Sequence, residues 1–271
     1  MTTAERSNDG VAARGMTVDL PGVHLWVTDT GGTATPVVLL HANTGTSANW
    51  IEQNTAFAAA GYRVIAFDRR GWGNSTPDPA TGPQPGSTTE DLHALVEHLG
   101  LERFHLVGVA GGGFVAVDYA AWQPARLRSV VAAATMLAVT DEPSREMFAR
   151  LMTPEFRAMS AEFREVSPGY RAENPEGTAR WVEIEQAAQR PGSPAQPLRT
   201  PNTYAKLDSI TVPTLALMAD ADLIAPPALM RLWVAHVKHA EVAVVPEAGH
   251  SVAWEHPDTF NRMVLDFIKR H

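Results

Sequence analysis

Residues 105–113 read His-Leu-Val-Gly-Val-Ala-Gly-Gly-Gly, and this stretch decides the fold. Its first half is a nearly continuous apolar run of the kind that a strand buried on both faces requires. Its second half is a glycine-rich corner, after which a helical pattern opens near Phe114. Gly108, Gly112 and Gly113 carry no Cβ, so strand and helix can meet with their backbones close together. The corner follows the G-x-S-x-G pattern of a nucleophile elbow at every position but the central one, where Ala110 stands. A dinucleotide loop would need G-x-G-x-x-G. The run Gly108-Val109-Ala110-Gly111 does not supply it, and no acidic residue ends a following strand at the right distance. On these residues alone, a glycine-rich turn without chemistry stays open.

Outward from the corner, short β-branched runs alternate with longer amphipathic segments. The runs are His24–Thr28, Val37–His41, Arg63–Phe67, His105–Val109, Val130–Thr135, Leu215–Met218 and Val242–Val245. The helical patterns are Ser47–Ala60, Ser87–Leu99, Phe114–Trp122, Pro227–Val237 and Pro257–Lys269. Ser87 and Glu90 have the spacing of a capping box, and Gly100 reads as a helix stop. Such alternation predicts a doubly wound, mostly parallel α/β sheet. Residues 1–20 are weakly patterned and are expected to form a flexible leader. Residues 21–137 and 209–271 would make the sheet and its helices. Residues 138–208 carry helical stretches and prolines but no strand pattern, and are expected to form a helical cap inserted into the core.

Composition removes several function classes. The chain has 271 residues, 45% of them apolar, enough to build a core. The net charge of −8 comes without a basic stripe, which speaks against nucleic acid as a partner. There are no cysteines, so thiol catalysis and disulfides are excluded. The N-terminus lacks the apolar stretch of a secretory signal, and no apolar run is long enough to span a bilayer. These features predict a cytoplasmic protein, monomeric or homodimeric, with a small-molecule substrate and no membrane partner. The histidines and carboxylates do not cluster with metal-ligand spacing, so neither a metal nor another cofactor is expected.

Two residues give the corner a chemical context. Asp222 follows the strand at Leu215–Met218, and His250 follows the last strand. Alone, the first reads as a turn residue and the second as structural. Together with position 110 they stand in the chain order nucleophile, acid, histidine, each after a strand, at the sheet edge where open α/β folds place their sites. His41-Ala42-Asn43-Thr44-Gly45 follows the run at Val37–Leu40. In that architecture the backbone N–H groups of Asn43 and Gly111 would form an oxyanion hole, the second at a helix N-terminus. His41 is expected to bond backbone at its strand end.

With these residues the chain resembles the α/β-hydrolase superfamily over roughly 20–271. The resemblance is carried by H-A-N-T-G at 41–45, F-D-R-R-G-W-G-N-S at 67–75, G-V-A-G-G-G at 108–113, D-A-D at 220–222 and E-A-G-H at 247–250. The His-Ala start of the loop and the stretch before His250 look most like the enol-lactonase and C–C-bond hydrolase branch. The resemblance implies cofactor-free hydrolysis of a small ester, lactone or vinylogous ketone, with residues 138–208 as a cap over the site.

Ala110 departs from the pattern, since it has no hydroxyl to form an acyl-enzyme. Three readings fit: a serine replaced by design, an enzyme in which His250 and Asp222 act without a nucleophile (as hydrolase, lyase or cofactor-free oxygenase), or a non-catalytic ligand binder. Ser47, Thr44, Thr46 and Ser251 lie near in sequence, but none is expected on a strained corner. In the cap, Phe148, Met152, Phe156, Met159 and Phe163 have spacings of a helical face. Tyr170, Arg171 and Trp181 are candidate substrate contacts, and Arg171 or Arg180 could pair a substrate carboxylate. Trp254 and His256 are expected to pack the last helix.

Overall fold

The alternating runs fold as one sheet. In the computed structural model, which describes residues 13–193 and 195–271, nine strands follow in chain order. They are β1 (Arg14–Leu20), β2 (Val23–Asp29), β3 (Pro36–Leu40), β4 (Arg63–Phe67), β5 (Thr76–Pro77), β6 (Phe104–Val109), β7 (Leu127–Ala133), β8 (Thr214–Ala219) and β9 (Ala240–Val245). Their order across the sheet is β1-β2-β4-β3-β6-β7-β8-β9, with β5 beside β2. β2 runs antiparallel to β1, β4 and β5. Every pairing from β4 to β9 is parallel. This is the doubly wound, mostly parallel α/β-hydrolase fold.

The helices are α1 (Ile51–Ala59), α2 (Thr88–His98), α3 (Gly111–Trp122), α4 (Glu142–Leu151), α5 (Pro154–Arg157), α6 (Ala161–Glu165), α7 (Pro168–Glu173), α8 (Pro175–Ala188), α9 (Tyr204–Asp208), α10 (Pro227–Val234), α11 (Val252–Glu255) and α12 (Pro257–Ile268). Alternate side chains of each central strand feed two separate cores. Val38, Leu40 and Leu106 pack with Leu92 and Leu95 of α2, Val115 and Tyr119 of α3 and Trp233 of α10. Val37, Leu39 and Val107 pack with Phe57 of α1 and Phe260, Val264 and Phe267 of α12. Burial on both faces explains why these strands read as unbroken apolar runs. No helix among the described residues is long and apolar enough to cross a membrane.

The expected leader is corrected at its end. Residues 1–12 lie outside the described residues, but Arg14–Leu20 is the edge strand β1, in register with β2 from Arg14 opposite Asp29 to Leu20 opposite Val23. Only Val18 and Leu20 of this strand are buried, so its pattern is too sparse to stand out.

Between β7 and β8 the described residues form α4 to α9 and no strand. Pro143, Pro154, Pro168 and Pro175 sit in the first turns of α4, α5, α7 and α8. Proline's fixed φ and missing N–H suit that position, so these prolines start helices. The expected single apolar face of Phe148 to Phe163 therefore does not form: it is divided among three helices, and Met159 and Phe163 are each 41% exposed.

The return from this segment is pinned by Asp118 of α3, which is buried. Its carboxylate accepts hydrogen bonds from the Thr89 hydroxyl (2.5 Å), the Arg199 N–H (2.8 Å) and the Thr200 hydroxyl (2.9 Å), and it pairs with Lys206. Removing one partner of such a network strands the others. Asp118→Ala should cost about 3–5 kcal/mol in urea denaturation, whereas a merely superficial tie would cost under about 1 kcal/mol.

Candidate active site

The corner after β6 is strained. Ala110 has φ 50° and ψ −115°, a region that residues with a Cβ avoid. Holding it costs on the order of 1–3 kcal/mol. The strand neighbours fix it: the Ala110 N–H donates to the Ala133 carbonyl at 3.0 Å, and the Ala110 carbonyl accepts from the Thr135 hydroxyl at 2.8 Å. The glycines are required by contact. A Cβ on Gly112 would lie 2.2 Å from the Leu40 carbonyl oxygen, and one on Gly108 would lie 2.3 Å from that of Gly112. α3 thus begins directly against β3, with residue 110 at its N-terminus.

The acid and the histidine meet beside this corner at the ends of β8 and β9. His250 Nδ1 donates to Asp222 Oδ2 at 2.8 Å. The other Asp222 oxygen accepts from the N–H groups of Ile224 (2.8 Å) and Ala225 (2.9 Å), which fixes the carboxylate's orientation. Asp222 and His250 are 3% and 7% exposed. Burial disfavours the imidazolium, but the charge and hydrogen bond of Asp222, with Glu165 and Glu255 nearby, push the His250 pKa up to about 9.

The loop after β3 is built around His41. Its Nδ1 donates to the Ala42 carbonyl at 2.7 Å, and its Nε2 accepts from the Arg69 N–H at 3.0 Å. Burial and the adjacent Arg69 charge hold its pKa well below the usual histidine value, so the ring is neutral and structural, as expected. The Arg69 guanidinium donates to the Ala42 carbonyl and to Asn43 Oδ1, and lies 4.6 Å over the Trp72 ring. Burial lowers its pKa to about 10, which leaves it charged at neutral pH. The Trp72 indole donates to the Asn43 carbonyl at 2.8 Å. Asn43 is therefore clamped from several sides. Its side chain lies over Gly111, where a Cβ would sit 2.3 Å from Asn43 Oδ1. Among the described residues, neither the Asn43 nor the Gly111 backbone N–H has a hydrogen-bond partner.

Two residues at the site escaped sequence reasoning. Glu165, at the end of α6, is 7% exposed and accepts from the Thr44 hydroxyl at 2.6 Å. Its carbonyl accepts from the Ser251 N–H at 3.0 Å, next to His250. Glu255 of α11 accepts from the N–H groups of Ser167 (2.9 Å) and Gly249 (3.0 Å). Burial raises the pKa of both carboxyls. A glutamate beside an exposed-looking helical pattern gives no sign that it will be buried; only the packing of α6 on the Thr44 loop reveals it.

The proposed substrate contacts separate. Trp181 is buried and borders a cavity of about 30 Å³ together with His41, Thr44, Val109, Ser251 and Trp254. That volume matches about one water. Tyr170 and Arg180 line an outer groove of about 330 Å³. Arg171 does not reach the site: it lies 4.6 Å over the Phe163 ring and donates to the Val166 carbonyl, both within the helical segment. Trp254 bonds the Gly177 carbonyl of α8 at 3.3 Å, and so contacts the helical segment. A wider groove of about 720 Å³ runs between Trp26, Ser47, Ile51 and Glu183, but it reaches neither Ala110 nor His250.

Comparison with known proteins agrees with this geometry. The sequence model of the group described as "Alpha/beta hydrolase family" matches residues 37–263. The 2-hydroxy-6-oxononadienedioate/2-hydroxy-6-oxononatrienedioate hydrolase of Paraburkholderia xenovorans is 30% identical over 267 residues, covering 91% of each chain. A thermophilic esterase from Thermogutta terrifontis superposes with a TM-score of 0.79 at 25% identity, over 94% of this chain and 98% of that one. The enol-lactonase from Burkholderia xenovorans gives 0.77 at 23% identity, over 94% and 100%, a likeness of fold.

The close approach at the corner is directly testable. Gly112→Ala should destabilise the protein by about 3 kcal/mol or more in thermal or urea unfolding, because the neighbour it meets is backbone and cannot rotate away. An unchanged midpoint would mean that α3 does not press on β3.

Proposed function

Since the chain belongs to the alpha/beta hydrolase family, we propose that it is a cofactor-free hydrolase of a small ester, lactone or vinylogous ketone, with His250 and Asp222 activating water. The observation that carries this reading is the buried 2.8 Å His250–Asp222 bond beside a strained corner that offers no hydroxyl. His250, aligned by Asp222, takes a proton from water as the water oxygen bonds to the substrate carbonyl carbon. The unpartnered N–H groups of Asn43 and Gly111 receive the oxyanion. When the intermediate collapses, the leaving alcohol, or the enol carbon of a cleaved C–C bond, takes that proton back from His250. The names of the relatives favour a ketone or lactone carbonyl as the centre attacked.

The conformation of Ala110 favours a second, related reading. A corner held at φ 50° would present a serine side chain as an elbow does. Ala110→Ser should therefore raise hydrolysis of aryl esters and lactones by several orders of magnitude, toward the roughly 10⁶ that a nucleophile contributes in a well-studied serine hydrolase. His250→Ala should abolish turnover in both backgrounds. If serine changes nothing while the alanine protein turns over through His250, water is the nucleophile. If both proteins are inert across the panel, hydrolysis of these substrates is wrong, and proton-abstraction chemistry or ligand binding replaces it.

The reading also fixes a pH dependence. A general base must be deprotonated, and His250 loses its proton only near pH 9 in the substrate-free protein. For the alanine protein, kcat/KM should rise with unit slope from neutral pH to a plateau above pH 9, roughly a hundredfold from pH 7. A flat profile over that range would exclude His250 as the base.

A further inference from the structure

The residue left unassigned is Glu165. It comes from the inserted helical segment, not from the sheet edge that carries the other site residues, yet it is more than nine-tenths buried and linked at both ends to the site. Its carboxylate accepts from Thr44, one residue after Asn43, and its carbonyl accepts from the N–H of Ser251, one residue after His250. We infer that Glu165 is a positioning residue that acts through His250: a carboxylate carried by the cap, tied to the loops of Asn43 and His250, that favours the protonated imidazole. This deepens the proposed function and rests on His250 being its proton carrier.

The charges facing the pair support that role. His250 is approached by Asp222 from the end of β8, by Glu165 from α6 and by Glu255 from α11. Glu165 is approached by His250, by Arg164 on its own helix and by Asp222, and its Thr44 bond favours the ionised form against burial. Asp222 is fixed by two backbone N–H groups and belongs to the core. Glu255 is held by the N–H groups of Ser167 and Gly249, so it spans the cap and the His250 loop. Glu165 differs from both in that its side chain has one weakly constraining partner, a threonine hydroxyl. Removing its charge would take away one of the anions that favour the protonated His250 ring. An imidazole relieved of a neighbouring anion gives up its proton more readily.

Histidine-selective NMR titration reads this without turnover. In the unsubstituted protein the His250 ring should titrate well above 6.5. Glu165→Gln, which keeps the shape and the acceptor for Thr44, should lower the His250 midpoint by about one pH unit. Thr44→Val, which withdraws only the hydroxyl, should lower it by less. Glu162→Gln, a half-buried carboxylate on the same helix, should leave it unchanged. An unmoved midpoint in Glu165→Gln, or an equal fall in Glu162→Gln, overturns the assignment. If Glu165→Gln folds poorly, the Thr44→Val titration decides alone, a midpoint identical to that of the unsubstituted protein counting against it. Because the readout needs no reaction, failure of Ala110→Ser to hydrolyse any substrate would sink the proposed function and leave this result standing.

Discussion

The structure depends on one close approach, that of the first turn of α3 to β3 and β6. Gly112 lies so near the Leu40 carbonyl, and Gly108 so near Gly112, that no side chain fits between them. That contact forces residue 110 into a conformation a Cβ resists, and it brings Gly111 under the Asn43 side chain. The flanking strands stabilise the strained residue through Ala133 and Thr135, so the strain is offset by ladder and hydroxyl bonds that a parallel sheet supplies there anyway.

Charge around this corner is segregated. On one side Arg69 is buried against Trp72, His41 and the Asn43 side chain, and its described hydrogen-bond acceptors are uncharged. On the other, three carboxylates surround one imidazole. In the proposed reaction the cationic side would hold the loop whose N–H groups receive the oxyanion, and the anionic side would set when His250 carries a proton. Neutral His41 lies between loop and guanidinium with both ring nitrogens committed to backbone, so it fixes geometry without adding charge. The two jobs of the proposed hydrolytic site, stabilising negative charge and moving a proton, would thus fall to physically separate groups.

How far the sequence revealed this follows from the reach of each signal. Strands buried on both faces declare themselves as apolar runs, so Arg63–Phe67 matches its strand end to end and the others shift by a few residues. The corner glycines, Asp222 and His250 follow strands and could be placed by chain order. β1 was illegible because an edge strand with two buried side chains lacks a pattern. The helical segment was legible as helical stretches without strands, but not in its helix bounds or packing, since its short helices start at prolines and pack on loops distant in sequence. Arg171 illustrates the limit: a cation in the cap is visible in sequence, but its choice of Phe163 and a backbone carbonyl is a tertiary event. Glu165 is the converse, a residue with no sequence signal that packing turns toward the histidine.

Ala110 is best understood against what surrounds it. A chain with no use for the corner would gain stability by relaxing it, since glycine at 110 would remove the steric cost of φ 50°. The same holds for two backbone N–H groups left without partners and for carboxylates buried beside one another, each of which costs stability wherever it occurs. These features oppose folding yet occur together, within one small region, at the carboxyl ends of β3, β6, β8 and β9. Structures concentrate such costs where a ligand or a reaction repays them. An alanine at position 110 lacks one route of attack but leaves every other component of the site under the same physical tension, which is what the proposed attack of water on a carbonyl, with a proton in transit, would require.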